Sequence, residues 1–299
     1  MNDSDYRCGF AVIVGRPNVG KSTLVNALLR QKVSIVTAKP QTTRHRILGI
    51  STVADSQVIF VDTPGIHHGG ARAMNRAMNR TARRSMAEAD VALFVIEALR
   101  WTNEDEDICH LVKDAGCPAI LVINKIDRVR DKEQLLPFIE DVSNRCEFQE
   151  IVLISALKDR GQEALRAMVA ARLPKAAPRY PDDKISDRNQ AFRAAEVVRE
   201  KLTQMLHQEL PYGLAVEIER FEDSPRGTAI GAVIWVEKQS QKAIVIGRDG
   251  RQLKRAGRAA RLELKTALGC PVHLELWVKV KKNWSDSDRA LRQLGYEMQ

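Results

Sequence analysis

Gly15-Arg16-Pro17-Asn18-Val19-Gly20-Lys21-Ser22 fits the pattern G-x-x-x-x-G-K-[ST], a loop built to hold phosphate groups. The run before it, Phe10-Ala-Val-Ile-Val14, is apolar and β-branched and reads as a buried strand. The run after it, Thr23 to Arg30, carries Leu24, Leu28 and Leu29 at helical spacing. Strand, glycine loop and helix is the context the motif requires. Glycines at 15 and 20 let the backbone turn several N–H groups toward one anion, and the helix N-terminus adds partial positive charge behind them. Lys21 then bridges the outer phosphates, and the Ser22 hydroxyl reaches magnesium. A chance match on a glycine turn is the plainer alternative, and the rest of the chain has to decide between them.

The 299 residues suggest about two domains with apolar content enough for real cores. A net charge of +9 favours an anionic partner, nucleic acid or a membrane surface. The five cysteines, at 8, 109, 117, 146 and 270, include no C-x-x-C pair, so neither a zinc site nor a redox couple is signalled. An odd, scattered set is expected to be reduced thiols in a cytosol. Met1 to Tyr6 is polar and acidic, unlike a signal peptide, and no apolar run approaches the length of a membrane span. No repeat or low-complexity tract is visible.

Val33 to Arg46 reads as a loop, since Pro40 biases Lys39 away from helix. Ile47 to Ile50 and Val58 to Val61 read as strands, the second ending in Asp62-Thr63-Pro64-Gly65. A carboxylate at the C-terminal end of a parallel strand beside a phosphate loop can hold magnesium through water. Gly65 can bring a backbone N–H close to a terminal phosphate. Ala71 to Ala89 follows as a helix with arginines at 72, 76, 80, 83 and 84, which a solvated face or a contact for RNA or another anion would each explain. Val91 to Glu97 reads as a strand, Glu104 to Asp114 as a helix, and Ala119 to Ile123 as a strand delivering Asn124-Lys125-Ile126-Asp127. A carboxylate at Asp127 can accept from the ring N–H and amine of guanine. Adenine lacks that donor pair, so a buried Asp127 would be left unpaired against ATP. Asn124 can tie this loop to the phosphate loop, and the Lys125 stem can pack on the base. Strand Ile151 to Ile154 brings Ser155-Ala156-Leu157, where a backbone N–H can meet the guanine carbonyl. Gly161 to Leu173 is the last helix of this domain.

Five motifs in order at alternating strand ends make coincidence a poor explanation. GRPNVGKS, Thr43, DTPG, NKID and SAL resemble the translation-factor-like class of GTP-binding proteins. The resemblance implies a doubly wound α/β P-loop domain with magnesium-GTP at the strand C-terminal ends. It makes Thr43 the switch residue that reaches magnesium and the γ-phosphate, chosen over Thr42 because it directly precedes Arg44. Ras-like proteins place a water-orienting Gln after this glycine. Here the residue is Ile66, whose alkyl chain cannot orient or deprotonate water. Hydrolysis must then use backbone groups, metal ions or a partner. In related GTPases with a hydrophobic residue at that place, an Asn at the position of Asn18 helps to hold potassium; Asn18 as a simple turn former is the alternative. The catalytic set is accordingly Lys21, Thr43, Gly65 and Asn18. His67 and His68 lie near enough to suggest a general base, although loop histidines are more often merely solvated.

Pro174 to Arg188, with prolines at 174, 178 and 181, reads as an extended connector. Phe192, Ala195, Val198, Leu202 and Met205 then mark one face of a helix ending before Pro211. Leu214 to Phe221 and Thr228 to Val236 read as a hairpin, and Val272 to Val280 as a half-buried strand. Between them Gly247-Arg248-Asp249-Gly250 fits G-x-x-G. It opens a helix with Leu253, Ala256, Ala260, Leu264 and Leu268 as its apolar stripe, Leu262 being an exception. Arg251, Lys254, Arg255, Arg258 and Lys265 lie on the other side. From Lys238 to Lys265 nine basic residues stand against two acidic ones, so this stretch carries much of the charge. The pattern resembles a type II KH domain, in which glycines let the backbone approach single-stranded RNA. A solvated basic helix is the plainer alternative. Ile246 through Arg251, with Lys254, Arg255 and Arg258, form the expected RNA site. Ala243-Ile-Val-Ile246 has strand propensity, but the resemblance makes Gln241 to Ile246 a helix.

A GTP-binding domain over 1–173, a linker over 174–188 and a type II KH domain over 189–299 together resemble the Era family of GTPases. Gln41-Thr-Thr-Arg44, Arg100-Trp-Thr102, Glu209-Leu-Pro-Tyr212, Val216 to Phe221 and His273 to Val280 agree with it. The resemblance implies a bacterial factor in assembly of the small ribosomal subunit, and a monomer is expected. Its KH domain would bind the 3′ end of small-subunit ribosomal RNA under control of GTP, in the cytoplasm, with loose attachment to the inner membrane face. Two other classes compete. A tRNA-modifying GTPase shares Asn18 and Ile66 but needs a folate-binding region and a C-terminal Cys near its active site, neither of which is visible. A non-hydrolysing RNA-binding module is opposed by intact Lys21, Ser22, Asp62 and Asp127.

Overall fold

The computed structural model describes residues 5–66, 72–206 and 213–296. His67, His68 and Glu209 to Tyr212 lie outside them. By its internal contacts the chain divides into two compact units. One comprises Met1–Ser34, Thr43–Ala71 and Asn75–Asp187; the other comprises Ile35–Thr42, Arg72–Met74 and Arg188–Gln299.

The first unit is built on a six-stranded sheet. In chain order its elements are β1 (Arg7–Val14), α1 (Lys21–Leu29), β2 (Ile47–Val53), β3 (Ser56–Asp62), α2 (Ala73–Ala87, of which the residues from Asn75 on belong to this unit), β4 (Val91–Glu97), α3 (Asn103–Ala115), β5 (Ala119–Asn124), α4 (Leu135–Ser143), β6 (Glu150–Leu153) and α5 (Gln162–Arg172). The strand order is β2-β3-β1-β4-β5-β6, with β2 antiparallel to β3 and the other pairings parallel. The strands are nearly continuous apolar runs because both faces are covered. One face buries Val12, Ile59, Phe94 and Leu121 with Ala82 and Met86 of α2; the other buries Ile13, Phe60, Leu93 and Val122 with Leu24 and Leu28 of α1. The connection from β1 leaves toward one edge and that from β4 toward the other. The C-terminal ends of β1 and its neighbours therefore border the crevice in which doubly wound sheets bind ligands.

The second unit continues with α6 (Gln190–Met205), β7 (Leu214–Ser224), β8 (Gly227–Val236), α7 (Gln239–Ile246), α8 (Arg251–Leu268), β9 (Val272–Val280) and α9 (Asp288–Gln293). Its sheet has the order β7-β8-β9, antiparallel and then parallel. Val198 and Leu202 of α6 and Ala256, Ala260 and Leu264 of α8 pack on Ile230, Ile234 and Val278. Leu262 is exposed, as its place off the stripe required.

Two findings depart from the sequence reading. Cys109 and Cys146 are joined as a disulfide with Cα atoms 6.5 Å apart, whereas reduced thiols were expected throughout; Cys8, Cys117 and Cys270 are free. The partners stand 37 residues apart, one on α3 and one beyond α4, so no local spacing could announce them. The connector, though extended, is not a free tether. The buried side chain of Gln57 accepts from Arg179 N and Tyr180 N at 2.8 and 3.0 Å and donates to Tyr180 O at 2.8 Å. Further along, Ile50 N donates to Ile185 O at 2.8 Å and Leu48 N to Asp187 Oδ1 at 3.0 Å.

Candidate functional site

The eight-residue loop joins β1 to α1 as its pattern required. Gly15 and Gly20 have φ of +151° and +104°, and a Cβ there would lie 2.3 Å from Val95 O and 2.4 Å from Asn124 Nδ2, respectively. Only glycine allows that backbone path at that proximity. Lys21 is buried beneath the loop and donates to Gly15 O at 2.7 Å and to Arg16 O at 2.9 Å. Burial pushes its ammonium down to about 8, a loss that the Asp62 charge opposes. Pro17 and Asn18 form the apex, Asn18 exposed at a φ of 64°. Val19 is core, and Thr23 follows Ser22 in the first turn of α1.

The Ser22 and Thr43 hydroxyls share a hydrogen bond of 2.7 Å, and Thr43 Oγ1 donates to Asp62 Oδ2 at 3.3 Å. The three side chains expected to hold magnesium therefore converge, although they come from α1, a loop and the end of β3. Burial raises the Asp62 pKa, against the opposing Lys21 charge and Thr43 hydroxyl. Asp62 Oδ1 is buried and has no hydrogen-bond partner among the described residues. A buried carboxylate oxygen needs a cation or water there, so the group fits a hydrated magnesium ion. Thr63 is occupied otherwise: its hydroxyl donates to Ile13 O at 2.8 Å and ties β3 to β1. Pro64 is buried behind it, and a Cβ on Gly65 would meet Pro17 and the Lys21 ammonium at 3.2–3.3 Å, so this turn lies against the loop. Ile66 is buried in the core with Met86 and Val14.

Asn124 ends β5 and links three loops. Its Nδ2 donates to Val19 O at 2.8 Å, and its Oδ1 accepts from Lys125 N at 2.7 Å and Ala156 N at 3.0 Å. Asp127 stands on a single turn beyond the strand and is exposed, so the burial its selectivity requires must come from the base itself. Its Oδ1 accepts from Ser155 Oγ at 2.5 Å. Sequence reasoning took only backbone groups from Ser155-Ala156-Leu157 and missed this orienting hydroxyl. Leu157 lies exposed at the rim.

Two supports of the loop were also missed. Arg16 turns its side chain away from the phosphate site, and its Nε donates to Asp105 Oδ2 at 3.0 Å. Asp105 is fully buried and closes a capping box with Thr102 at the start of α3. Thr102-Asn-Glu-Asp105 carries that capping signature, which a search for helix starts would have found. Glu97, at the end of β4, meets Lys125 Nζ at 3.0 Å and Arg16 at 3.4 Å. These cations hold its carboxyl below the usual range although burial opposes them.

In the second unit, α7 occupies Gln239–Ile246 despite the strand propensity of Ala243 to Ile246, because Val245 is buried in the core. Gly247, Asp249 and Gly250 all have positive φ, at 71°, 55° and 71°. The glycines differ in their surroundings. A Cβ on Gly247 would fall 2.7 Å from Gln252 Cβ, whereas one on Gly250 would meet only Lys254 Cε at 3.9 Å. Gly247 is thus required by the turn itself, and Gly250 leaves the outer face open to a ligand. Ile246 is half-buried, while Arg248, Asp249, Arg251, Lys254, Arg255 and Arg258 are exposed around it. The first turn of α8 contains no acidic residue.

The fold and sites define a GTPase of the doubly wound P-loop class followed by an α+β KH domain of type II. A family model described as 50S ribosome-binding GTPase matches residues 10–125, and one described as KH domain matches residues 209–285. The chain is 52% identical over 292 residues to GTPase Era of Stenotrophomonas maltophilia strain R551-3, covering 98% of both, and 50% identical over 297 residues to GTPase Era of Xanthomonas oryzae pv. oryzae, covering 99% of both. A crystal structure of Era in complex with MgGDPNP and nucleotides 1506–1542 of 16S ribosomal RNA superposes with a TM-score of 0.94 at 40% identity, covering 98% of this chain and 100% of that one. Aquifex aeolicus Era bound to GDP.AlF4- matches with the same values. The chain belongs to the Era family of GTPases.

Proposed function

We propose that the protein hydrolyses GTP with magnesium and binds the 3′ end of small-subunit ribosomal RNA through its KH domain, as a monomeric cytoplasmic factor in small-subunit assembly. The domains then run over 1–173 and 189–299, with 174–188 between them. The observation that carries the reading is similarity to Era along 98% of the chain, including a relative solved with MgGDPNP and 16S ribosomal RNA. The same extent disfavours a tRNA-modifying GTPase. Magnesium would be held by Ser22, Thr43 and, through water, Asp62, and would draw off charge that develops on the phosphates. Lys21 would bind the outer phosphates, and Gly65 N–H would contact the last of them. Loose attachment to the inner membrane face would rest on positive charge alone, since no helix among the described residues is long and apolar enough to cross a membrane.

Replacing Gly250 by Asp tests the RNA assignment. The open space above Gly250 accommodates the side chain, and Asp tolerates positive φ, so the turn should survive while gaining negative charge toward the phosphates. Fluorescence anisotropy with a single-stranded RNA from the 3′ end should show specific binding abolished, with GTP affinity unchanged. Undiminished RNA binding by folded variant would remove the KH assignment.

Hydrolysis is expected to run faster in potassium than in sodium, with Asn18 among the potassium ligands. The φ of 64° at Asn18 also suits a turn former. Asn18→Ala should abolish the cation preference, and Asn18→Gly, which keeps the turn, should abolish it equally. If Asn18→Gly retains the preference, Asn18 only shapes the loop.

A further inference from the structure

The disulfide between Cys109 and Cys146 belongs to neither the nucleotide motifs nor the G-x-x-G turn, yet it borders the first of these on two sides. Ile108, Cys109 and Val112 of α3 and Val142 of α4 are buried with Phe94, Leu121 and Ile123 on one face of the first sheet, so the bond joins the two helices that cover β4 and β5. The chain it closes, with a sequence separation of 37, includes β5 and Asn124-Lys125-Ile126-Asp127, the segment assigned to guanine. Cys109 also stands one helical turn after Asp105, whose carboxylate holds Arg16 of the phosphate loop at 3.0 Å. The segment that carries Cys146 is held in place by other contacts as well. On one side of it Arg145 pairs with Glu106 at 3.3 Å and with Asp141 at 3.1 Å, and its guanidinium lies 5.4 Å from the centroid of the Trp101 ring. On the other side Phe148 packs on Phe94, with ring centroids 6.2 Å apart. Two thiols anchored in this way stay close when the bond is open, so closing it again costs little ordering of the chain. They differ in access, since Cys109 is fully buried and Cys146 half-buried.

We propose that Cys109 and Cys146 are a reversible thiol–disulfide switch, which slows the release of guanine nucleotide when it is closed. The proposal rests on the reading of the protein as a cytoplasmic GTPase, because cytosolic thiols are kept reduced and a disulfide there is usually transient and redox-sensing. Closing the bond takes two electrons and two protons from the thiols. With hydrogen peroxide as the oxidant, the accessible Cys146 thiolate attacks one oxygen, the O–O bond breaks and hydroxide leaves, which makes Cys146 a sulfenic acid. Cys109 then attacks the Cys146 sulfur, the S–O bond breaks, and the departing hydroxide takes up the Cys109 proton, so that one peroxide ends as two waters. A dithiol reductant reverses the change: one of its thiolates attacks a sulfur of the bond, its second thiol resolves the mixed disulfide, and the reductant leaves oxidised with both protein thiols restored. Guanine nucleotide leaves when the segment beyond β5 opens. A bond across α3 and α4 reduces the conformations available to the chain it encloses and so opposes that opening. Neither cysteine belongs to a nucleotide motif, so base preference should not change with redox state.

The test uses the full chain, equilibrated in buffers of reduced and oxidised glutathione and then alkylated, with the Cys109–Cys146 link measured by peptide mass spectrometry. The pair should be dithiol at the reduced-to-oxidised ratio of a cytosol and should pass to disulfide as the buffer becomes more oxidising. A link that persists at the cytosolic ratio would make the bond a permanent staple, and a link absent at every ratio would remove it; either result overturns the proposal. A fluorescent GDP should leave the oxidised protein roughly fivefold more slowly than the reduced protein, and oxidation should raise the Tm of the first unit by roughly 10 °C. Cys146→Ser should release GDP at the reduced rate in both kinds of buffer, and Cys109→Ala serves as a second variant should the first misfold. A rise in Tm with equal release rates would overturn the switch and leave only a stabilising bond. A redox-dependent rate that persists in both variants would overturn it as well. Reduced protein that binds no GDP would bring down the GTPase reading and the switch with it, whereas reduced protein that binds GDP and releases it at the oxidised rate would bring down the switch alone.

Discussion

Asp127→Asn is expected to weaken GTP binding by about two orders of magnitude and to turn preference toward xanthosine triphosphate. The guanine ring N–H and amine would donate to one carboxylate, and charge-assisted bonds of this kind are about twice as strong as neutral ones. Asn presents an amide N–H₂ toward a donor, so one bond becomes a clash of donors. Xanthine exchanges the amine for an acceptor and restores the match. Losing the pair costs on the order of 3 kcal/mol, about a hundredfold in affinity. Asp127 is exposed in the protein itself, so much of this cost arises only when the base covers the carboxylate. The Ser155 hydroxyl at 2.5 Å fixes the carboxylate before that happens. Ser155→Ala should therefore weaken GTP several-fold and leave base preference intact. Titration with GTP and xanthosine triphosphate checks both, and a variant at position 127 that binds GTP like the parent would end the base-recognition assignment.

The parts of this protein legible in sequence were those in which local chemistry and position in the chain coincide. The phosphate loop, Asp62 and Asn124 each follow a run of apolar β-branched residues, and a parallel sheet then has to bring the ends of β1, β3 and β5 to one edge. The alternation from Val272 to Val280 read through to the observed β9. What stayed illegible depends on pairs distant in the chain. Arg16 and Asp105 are 89 residues apart, and nothing next to Arg16 says that its side chain leaves the phosphate site. Gln57 secures a connector more than a hundred residues later, so the prolines disclosed its extension and not its attachment. The segment Ala243 to Ile246 shows the converse, where local propensity is clear and is overruled by the burial of Val245.

Asp105→Ala should destabilise the first unit by about 3–5 kcal/mol without touching any atom that meets nucleotide. The Arg16 and Asp105 side chains are 6% and 0% exposed, so the variant leaves a guanidinium buried with only Glu97, 3.4 Å away, to answer it. The same oxygen of Asp105 accepts from Thr102 N at 3.0 Å and Thr102 Oγ1 at 2.8 Å, so the start of α3 also loses the reciprocal half of its capping box, while the Thr102 cap on Asp105 N remains. Asp105→Asn keeps an oxygen for the cap and loses only the charge, so it should fall between the variant and the parent. Removing both charges separates the pair's worth from the penalty of an orphaned cation. Arg16→Met combined with Asp105→Leu should recover most of the stability, since a buried pair is often no better than apolar groups of similar volume. Urea unfolding reads each variant, and the transition of the first unit is recognised as the one that bound GDP shifts upward. If Asp105→Ala costs under 1 kcal/mol while Arg16 stays buried, the ion pair is not what holds the loop to α3. Recovery in the double variant would mean that the loop needs a filled site beneath Arg16 more than it needs a charge there.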